Sequence, residues 1–186
     1  VDDVQASGLP IFGVTQKLAQ LESSKTFAKA FMHRHHLPTA ASKTVHSAIE
    51  AHAEATLMGL PLVLKKDGLA AGKGVVIAND AATLDDTIEQ FYAGHPDATV
   101  LLEEYLAGEE ASVMALFNDQ RRVILPLSQD HKRRHAADRG PNTGGMGAIS
   151  PLPQFKPDQV QAAQSLVDAT LAGMHQDGLN GHGVMY

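Results

Sequence analysis

The sequence has 186 residues, 44% of them hydrophobic, no cysteine and a formal net charge of -6. That length allows one large domain or two small ones with a buried core, and without cysteine neither a disulfide framework nor a thiolate metal site can form. The acidic balance argues against a chain built to neutralise many nucleic-acid phosphates, although a local basic patch could still hold a small phosphorylated ligand.

Apolar stretches such as Ala111 to Phe117 and Val123 to Leu127 are far shorter than the ~20 residues of a membrane span, and no signal-peptide pattern opens the chain. A soluble, cytoplasmic protein without membrane or nucleic-acid partners is expected. Val1 in place of an initiator Met, and the strand-like run Val184-Met185-Tyr186 at the end, lead to the expectation that the sequence is a fragment.

In chain order, Gly8 to Gly13 reads as a loop entering a short buried strand. Thr15 can cap a first helix and Ser23 or Ser24 a second, with Phe27, Ala30 and Phe31 spaced for one buried face before Pro38. From Ser42 to Met58, Val45, Ala48, Ile49, Ala53 and Leu57 recur at helical spacing, and Gly59 suits a C-cap. Pro61 to Lys66 and Gly74 to Ala78 read as strands on either side of a glycine-rich turn. A helix over Leu84 to Tyr92 and a strand over Thr99 to Glu103 follow. Ala111 to Phe117 and Arg121 to Leu127 should form a hairpin across Asn118 and Asp119, and Ser128 to Ser150 reads as a long loop rich in charge and glycine. Pro157 to His175 is an amphipathic helix with Val160, Ala163, Leu166, Val167 and Leu171 inward. This alternation predicts an α+β fold.

Gly68, Gly72 and Gly74 allow the backbone positive φ and close approach to a ligand, while Lys73 adds a cation among exposed amides, so phosphate is the natural guest. A Walker A loop is excluded. Its spacing is wrong, Gly74 stands where Ser or Thr would be needed, and a strand rather than a helix follows. A turn between two strands, with Lys65 on the first, describes a lid over a triphosphate; the same residues also suit an ordinary hairpin with solvated lysines. The run Val100 to Leu106 leaves a strand and offers exposed backbone to an adenine edge, and Glu110 could accept both ribose hydroxyls. Taken alone, Glu103, Glu104, Glu109 and Glu110 fit a solvated acidic turn better than a nucleotide site. His33, His35 and His36 read as an exposed helix end rather than a metal site.

A strand lysine, a glycine-rich lid and then Glu-Glu-Tyr-Leu-x-Gly-x-Glu resemble the nucleotide site of the ATP-grasp superfamily. Within it, Leu21-Glu-Ser-Ser-Lys25, Lys65-Lys-Asp-Gly-Leu-Ala-Ala-Gly-Lys-Gly74, Ser128-Gln-Asp-His-Lys-Arg133 and Pro141-Asn-Thr-Gly-Gly-Met-Gly147 resemble the phosphoribosylamine-glycine ligase (glycinamide ribonucleotide synthetase) family, in that order. The resemblance covers about Ile11 to Pro151. Lys66, where the family usually has a small residue, and Val14, where it usually has proline, depart from it without removing an expected ligand.

The resemblance implies an ATP-grasp fold. Residues 1–20 would be a remnant of an N-terminal domain and linker, 21–38 a helix packing on the second subdomain, 39–104 a lid of antiparallel sheet plus helices, and 105–186 a second, truncated subdomain. It implies that Lys25 and Lys65 contact ATP phosphates beneath a loop carrying Gly68, Gly72, Lys73 and Gly74, with Lys65 and Lys73 catalytic. Glu103, Glu104, Tyr105 and Leu106 would hold adenine and Glu110 ribose. Asp130, His131, Lys132 and Arg133, with Asn142, Thr143, Gly144 and Gly145, would line the phosphoribosylamine and glycine side.

The implied reaction is ATP-dependent ligation of glycine to 5-phosphoribosylamine with Mg2+ or Mn2+, whose ligands would follow Tyr186. The fragment alone would be inactive and the full-length enzyme monomeric. Another ATP-grasp carboxylate-amine ligase or a biotin-dependent carboxylase remains an alternative, as does a nucleotide-binding module without catalysis.

Overall fold

The structure, a computed structural model, describes residues 1–68, 74–137 and 139–186, without the side chains of residues 141 and 142. Two compact units are present: one comprises Val1–Glu22, Phe31–Leu37 and Glu109–Tyr186, the other Ser23–Ala30 and Pro38–Gly108.

The second unit is built on a four-stranded antiparallel sheet of β1 (Ser42–Val45), β2 (Leu62–Lys66), β3 (Val75–Ala78) and β4 (Val100–Glu104), in the order β1-β4-β2-β3. The expected hairpin around the glycine-rich turn is present, with Val63 opposite Ile77, Leu64 opposite Val76 and Lys65 opposite Val75. Side chains alternate across a strand. Leu62 and Leu64 of β2 and Val100 and Leu102 of β4 therefore point to one face, where they form the core with Ala51, Ala55, Ile88, Phe91 and Tyr92. Val63, Lys65, Leu101 and Glu103 share the opposite face.

The helices that supply this core are α4 (Ala48–Met58) and α5 (Ala81–Tyr92); α1 (Asp2–Ala6), α2 (Gln16–Ser23) and α3 (Lys25–Arg34) precede them. Ser47 caps α4 by accepting the Glu50 N–H, and Asp80 caps α5 by accepting that of Thr83. As anticipated, Leu18 N donates to Thr15 Oγ1 and Phe27 N to Ser24 Oγ, so Thr15 and Ser24 cap α2 and α3.

The single helix expected from Ser42 to Met58 is a strand followed by a helix. Val45 belongs to β1, the β-branched Thr44-Val45 pair suiting an extended edge. Ile49 and Leu57, part of the helical spacing read in the sequence, are 84% and 80% exposed; the buried stripe is Ala51 and Ala55, whose small side chains let the helix axis approach the sheet. In α3, Phe31 is buried as expected, but Ala30 is exposed and Lys29 buried in its place.

The first unit holds a three-stranded sheet in which β5 (Ala115–Phe117) lies between β6 (Arg122–Ile124) and β11 (Gly183–Met185). Its hairpin turn occupies residues 118–121 rather than two residues, because the Asn118 side chain accepts the N–H groups of Gln120 and Arg121. Val184-Met185 is a strand, as read. The buried strand expected before Gly13 reduces to one bridge, Gly13 to His182, with Phe12 59% exposed.

The segment from Ser128 to Ser150, expected to be a loop, contains two ladders among its described residues. These are β7 (Gln129–Asp130) with β10 (Ala148–Ile149), and β8 (Arg133–His135) with β9 (Arg139–Asn142). Polar and glycine-rich strands leave no hydrophobic alternation to read. The helix α6 (Pro157–Gln176) follows, burying Val167 and Met174 while Leu166 lies outside the buried stripe.

Candidate nucleotide and substrate sites

In the second unit, alternation along β2 and β4 places Lys65 and Glu103 on the same sheet face as diagonal neighbours, since Val63 is the direct partner of Glu103. Lys65 Nζ is ion-paired with Glu103 Oε2. The other carboxylate oxygen meets Lys29 Nζ at 2.7 Å. Burial opposes ionisation of Glu103, but hydrogen bonds and charge from Lys29 and Lys65 prevail and hold its carboxyl below the usual range.

Lys25, at the first turn of α3, donates from Nζ to Gly68 O at 2.7 Å, which fixes the entry to the glycine-rich turn against the helix. Asp67 completes this junction by accepting the Lys25 backbone N–H at 2.6 Å and the Thr26 hydroxyl at 2.8 Å. At the exit of the turn, Gly74 O accepts the N–H of Lys66 at 2.8 Å. Lys25, Lys65, Gly68, Gly74 and Glu103 are thus carried by one compact unit. Gly72 and Lys73 lie outside the described residues.

The strand β4 ends at Glu104, whose Oε1 accepts the Ala41 N–H at 2.8 Å and whose own N–H donates to Ala41 O. This side chain is engaged with the strand edge. Tyr105 and Leu106 beyond it are 43% and 65% exposed, an apolar surface of the kind that an aromatic base can cover. Glu110, in the other unit, is exposed.

In that first unit the two sequence blocks expected to bind substrate are ladder partners. Asp130 pairs with Ala148 and Arg133 with Asn142. Thr143 donates to Lys132 O through both its N–H (2.7 Å) and its hydroxyl (2.9 Å), and Gly145 N donates to Thr143 Oγ1 at 3.1 Å. Met146 N donates to His131 O, and His131 N to Gly147 O. Lys132 Nζ lies 3.3 Å from Asp130 Oδ2. Gly144 is exposed beside them. The nested hairpins gather cationic side chains and glycine backbone on one arm, a composition suited to a phosphorylated, polar ligand.

Sequence reading missed Lys29 and gave Asp67 no role. Lys29 sits one helical turn after Lys25, a spacing that places both on one face of α3 and was the available signal. The sequence also gave no role to an open groove of about 790 Å3 between Lys66–Gly68 and the turn 94–99.

Among solved structures, the fold resembles a carboxyaminoimidazole ribonucleotide synthase from Aspergillus clavatus complexed with ATP, at 18% identity and a TM-score of 0.73 over 98% of this chain and 44% of that one. A D-alanyl-alanine synthetase A from Vibrio cholerae is also similar, at 12% identity and a TM-score of 0.70 over 94% of this chain and 54% of that one. The architecture is that of the ATP-grasp fold, α+β.

Residues 23–186 match the family described as phosphoribosylglycinamide synthetase, ATP-grasp (A) domain, and the chain belongs to that family. The phosphoribosylamine-glycine ligase of Ralstonia nicotianae is 47% identical over all of this chain and 45% of its own length. That of Neisseria meningitidis serogroup A is 45% identical with the same coverage. A crystal structure of phosphoribosylamine-glycine ligase from Thermotoga maritima is 37% identical with a TM-score of 0.84 over 93% of this chain and 45% of that one. The chain spans about 45% of the length of these relatives.

Among the described residues no helix is long and apolar enough to cross a membrane. Nor do they contain a group of three His, Cys, Asp or Glu side chains placed to hold a metal ion.

Proposed function

We propose that the chain carries the ATP-handling part of an enzyme that ligates glycine to 5-phosphoribosylamine, giving glycinamide ribonucleotide, ADP and phosphate. The observation that carries this reading is the family match over residues 23–186. The junction of Lys25, Asp67 and Gly68, with Lys65 two residues before Asp67 on β2, supports it, because it collects cations at the base of one turn.

In the proposed reaction a carboxylate oxygen of glycine attacks the γ-phosphorus of ATP, and ADP leaves. The amine of phosphoribosylamine then attacks the carbonyl carbon of the glycyl phosphate, losing a proton as phosphate departs. Such chemistry depends on positioning and on charge neutralisation around the transferring phosphoryl group. Lys25 and Lys65 would contact the phosphates, and Lys73 would cover them from the loop. Adenine would lie on the backbone of Glu103 to Leu106. Glu110 is assigned to ribose. The arm residues Asp130 to Arg133 and Asn142 to Gly145 are assigned to glycine and phosphoribosylamine.

A divalent cation such as Mg2+ would supply further charge neutralisation on the phosphates. The described residues provide no cluster suited to hold it. The substrates are small molecules, and the working compartment is proposed to be the cytoplasm.

The test is ADP release by the longer protein that carries this sequence. Release should require glycine and phosphoribosylamine together. Equal release with other acid and amine pairs would reject this substrate assignment while leaving ATP use intact.

A further inference from the structure

Glu103 lies between two lysines of different standing. Its side chain is 7% exposed, that of Lys29 9% and that of Lys65 29%. An ammonium has three N–H donors. Those of Lys29 are matched by Glu103 Oε1 at 2.7 Å, Thr39 Oγ1 at 2.6 Å and Ala40 O at 2.9 Å. Lys65 approaches the second oxygen of Glu103 from β2 and keeps more contact with solvent. A buried carboxylate with a single counter-ion would hold it firmly, because separating them leaves a charge uncompensated away from water. With two cations present, one can depart while the carboxylate stays neutralised.

We propose that Lys29 is a positioning residue: by remaining on Glu103 it leaves Lys65 free to exchange that carboxylate for an incoming anion. The inference rests on the functional reading above only for the identity of the anion, the triphosphate of a nucleotide. Lys29 is anchored on α3 and cradled by Thr39 and Ala40 in the segment leading into β1, so its charge stays in place. The cluster of two cations and one anion carries a surplus positive charge, and the more exposed lysine is the one able to present it. If Lys29 were only a packing residue, its replacement would lower stability without altering Lys65 in the folded protein.

Acylation of the folded 186-residue chain with N-hydroxysuccinimidyl acetate, followed residue by residue by mass spectrometry, separates these possibilities. Exposed Lys43 serves as the internal reference. An amine must release its proton and leave its carboxylate before its nitrogen can attack the ester carbon. In Lys29→Met, Glu103 has Lys65 as its remaining lysine partner in this cluster, so labelling of Lys65 should slow by roughly two- to fivefold, the range for a partly exposed ion pair. Adding Glu103→Gln to Lys29→Met should restore the rate, and Glu103→Gln alone should raise it above wild type.

An unchanged Lys65 rate in folded Lys29→Met, or equal slowing in the double variant, would overturn the proposal. If Lys29→Met does not fold, Glu103→Gln decides: an unchanged Lys65 rate there would show that the carboxylate does not restrain Lys65. ATP with magnesium, added to the wild-type chain, should slow labelling of Lys25 and Lys65. Absence of that protection would count against the nucleotide reading while the Lys29 result stood on the variants.

Discussion

Asp67 caps a helix that begins 42 residues before it: its Oδ1 accepts the backbone N–H of Lys25 at 2.6 Å, where α3 starts. Oδ2 accepts the hydroxyl of Thr26 at 2.8 Å and that of Ser24 at 3.1 Å. A carboxylate at this position meets amide hydrogens and the positive end of the helix dipole together. Because Asp67 also precedes the glycine-rich turn, the cap joins helix and turn into one junction. Asp67→Ala should cost about 1–2 kcal/mol of stability in urea unfolding, and Asp67→Asn less, since an amide oxygen can still accept. Equal stability of wild type and Asp67→Ala would show that the cap is not maintained in solution.

The same carboxylates set a pH dependence. Burial acts to raise the Asp67 carboxyl, but hydrogen bonds from Thr26, Lys25, Gly68 and Ser24 outweigh it and hold it below the usual range; Glu103 is lowered in the same sense by its two lysines. A lowered folded value means that, as pH falls, the unfolded chain takes up these protons first. The stabilisation is therefore complete above the unfolded carboxyl values of about 4 and is lost as pH falls through the folded ones. Denaturation midpoints should decline as the solution is acidified below about pH 5, and Glu103→Gln should flatten that decline. A steeper decline in the variant would contradict the assignment.

Gly173 lies in α6 against the His35 ring, and a Cβ at residue 173 would come within 2.7 Å of that ring. The ring packs beside Phe31 at 4.7 Å between centroids, and its Nε2 is 3.0 Å from Asp177 Oδ1, near in distance though not aligned as a hydrogen bond. Alanine in a helix ordinarily gains about 1 kcal/mol over glycine. Here overpacking should reverse the sign, and Gly173→Ala should lose about 1–3 kcal/mol. Adding His35→Ala should recover part of the loss, as a double-mutant cycle would reveal.

Glu110 is exposed, so Glu110→Ala should leave stability within about 0.5 kcal/mol of wild type. If its carboxylate accepts ribose hydroxyls, ATP affinity of the longer protein should fall at least about tenfold, since even one charge-assisted bond is worth about 1.5 kcal/mol or more. Glycine binding should change little. Matching losses for both ligands would point to a disturbed fold instead.

The β2–β3 hairpin was legible because a run of branched and aliphatic residues meets a glycine-rich turn, and the caps at Thr15 and Ser24 because their hydroxyls stand just before periodic segments. β1 was not legible. Its four residues carry a single buried apolar side chain, Val45, which happens to continue the helical spacing of the segment after it. The arm 129–149 hid its ladders for another reason: its strands are held by backbone bonds among polar and glycine residues, which leave no hydrophobic period. At the site, the glycine-rich turn and Lys65 were visible as a local pattern. The shared anchoring of Glu103 by Lys29 and Lys65 depends on a register between β2 and β4 and on the placement of α3, which no local spacing records.

The sheet order β1-β4-β2-β3 has a further consequence for how the chain reaches this structure. β2 and β3 can meet as a local hairpin, but β1 has β4 as its partner in this sheet, with Ser42 opposite Glu103. The loop between them must close before any of its pairing is rewarded, and closure over such a separation is entropically costly and slow compared with forming a hairpin. During synthesis the N-terminal edge of the sheet waits, unpaired, until Val100 to Glu104 has left the ribosome. A chain halted before that point would present β1 and one side of the hairpin as open edges, the form most exposed to pairing with another molecule.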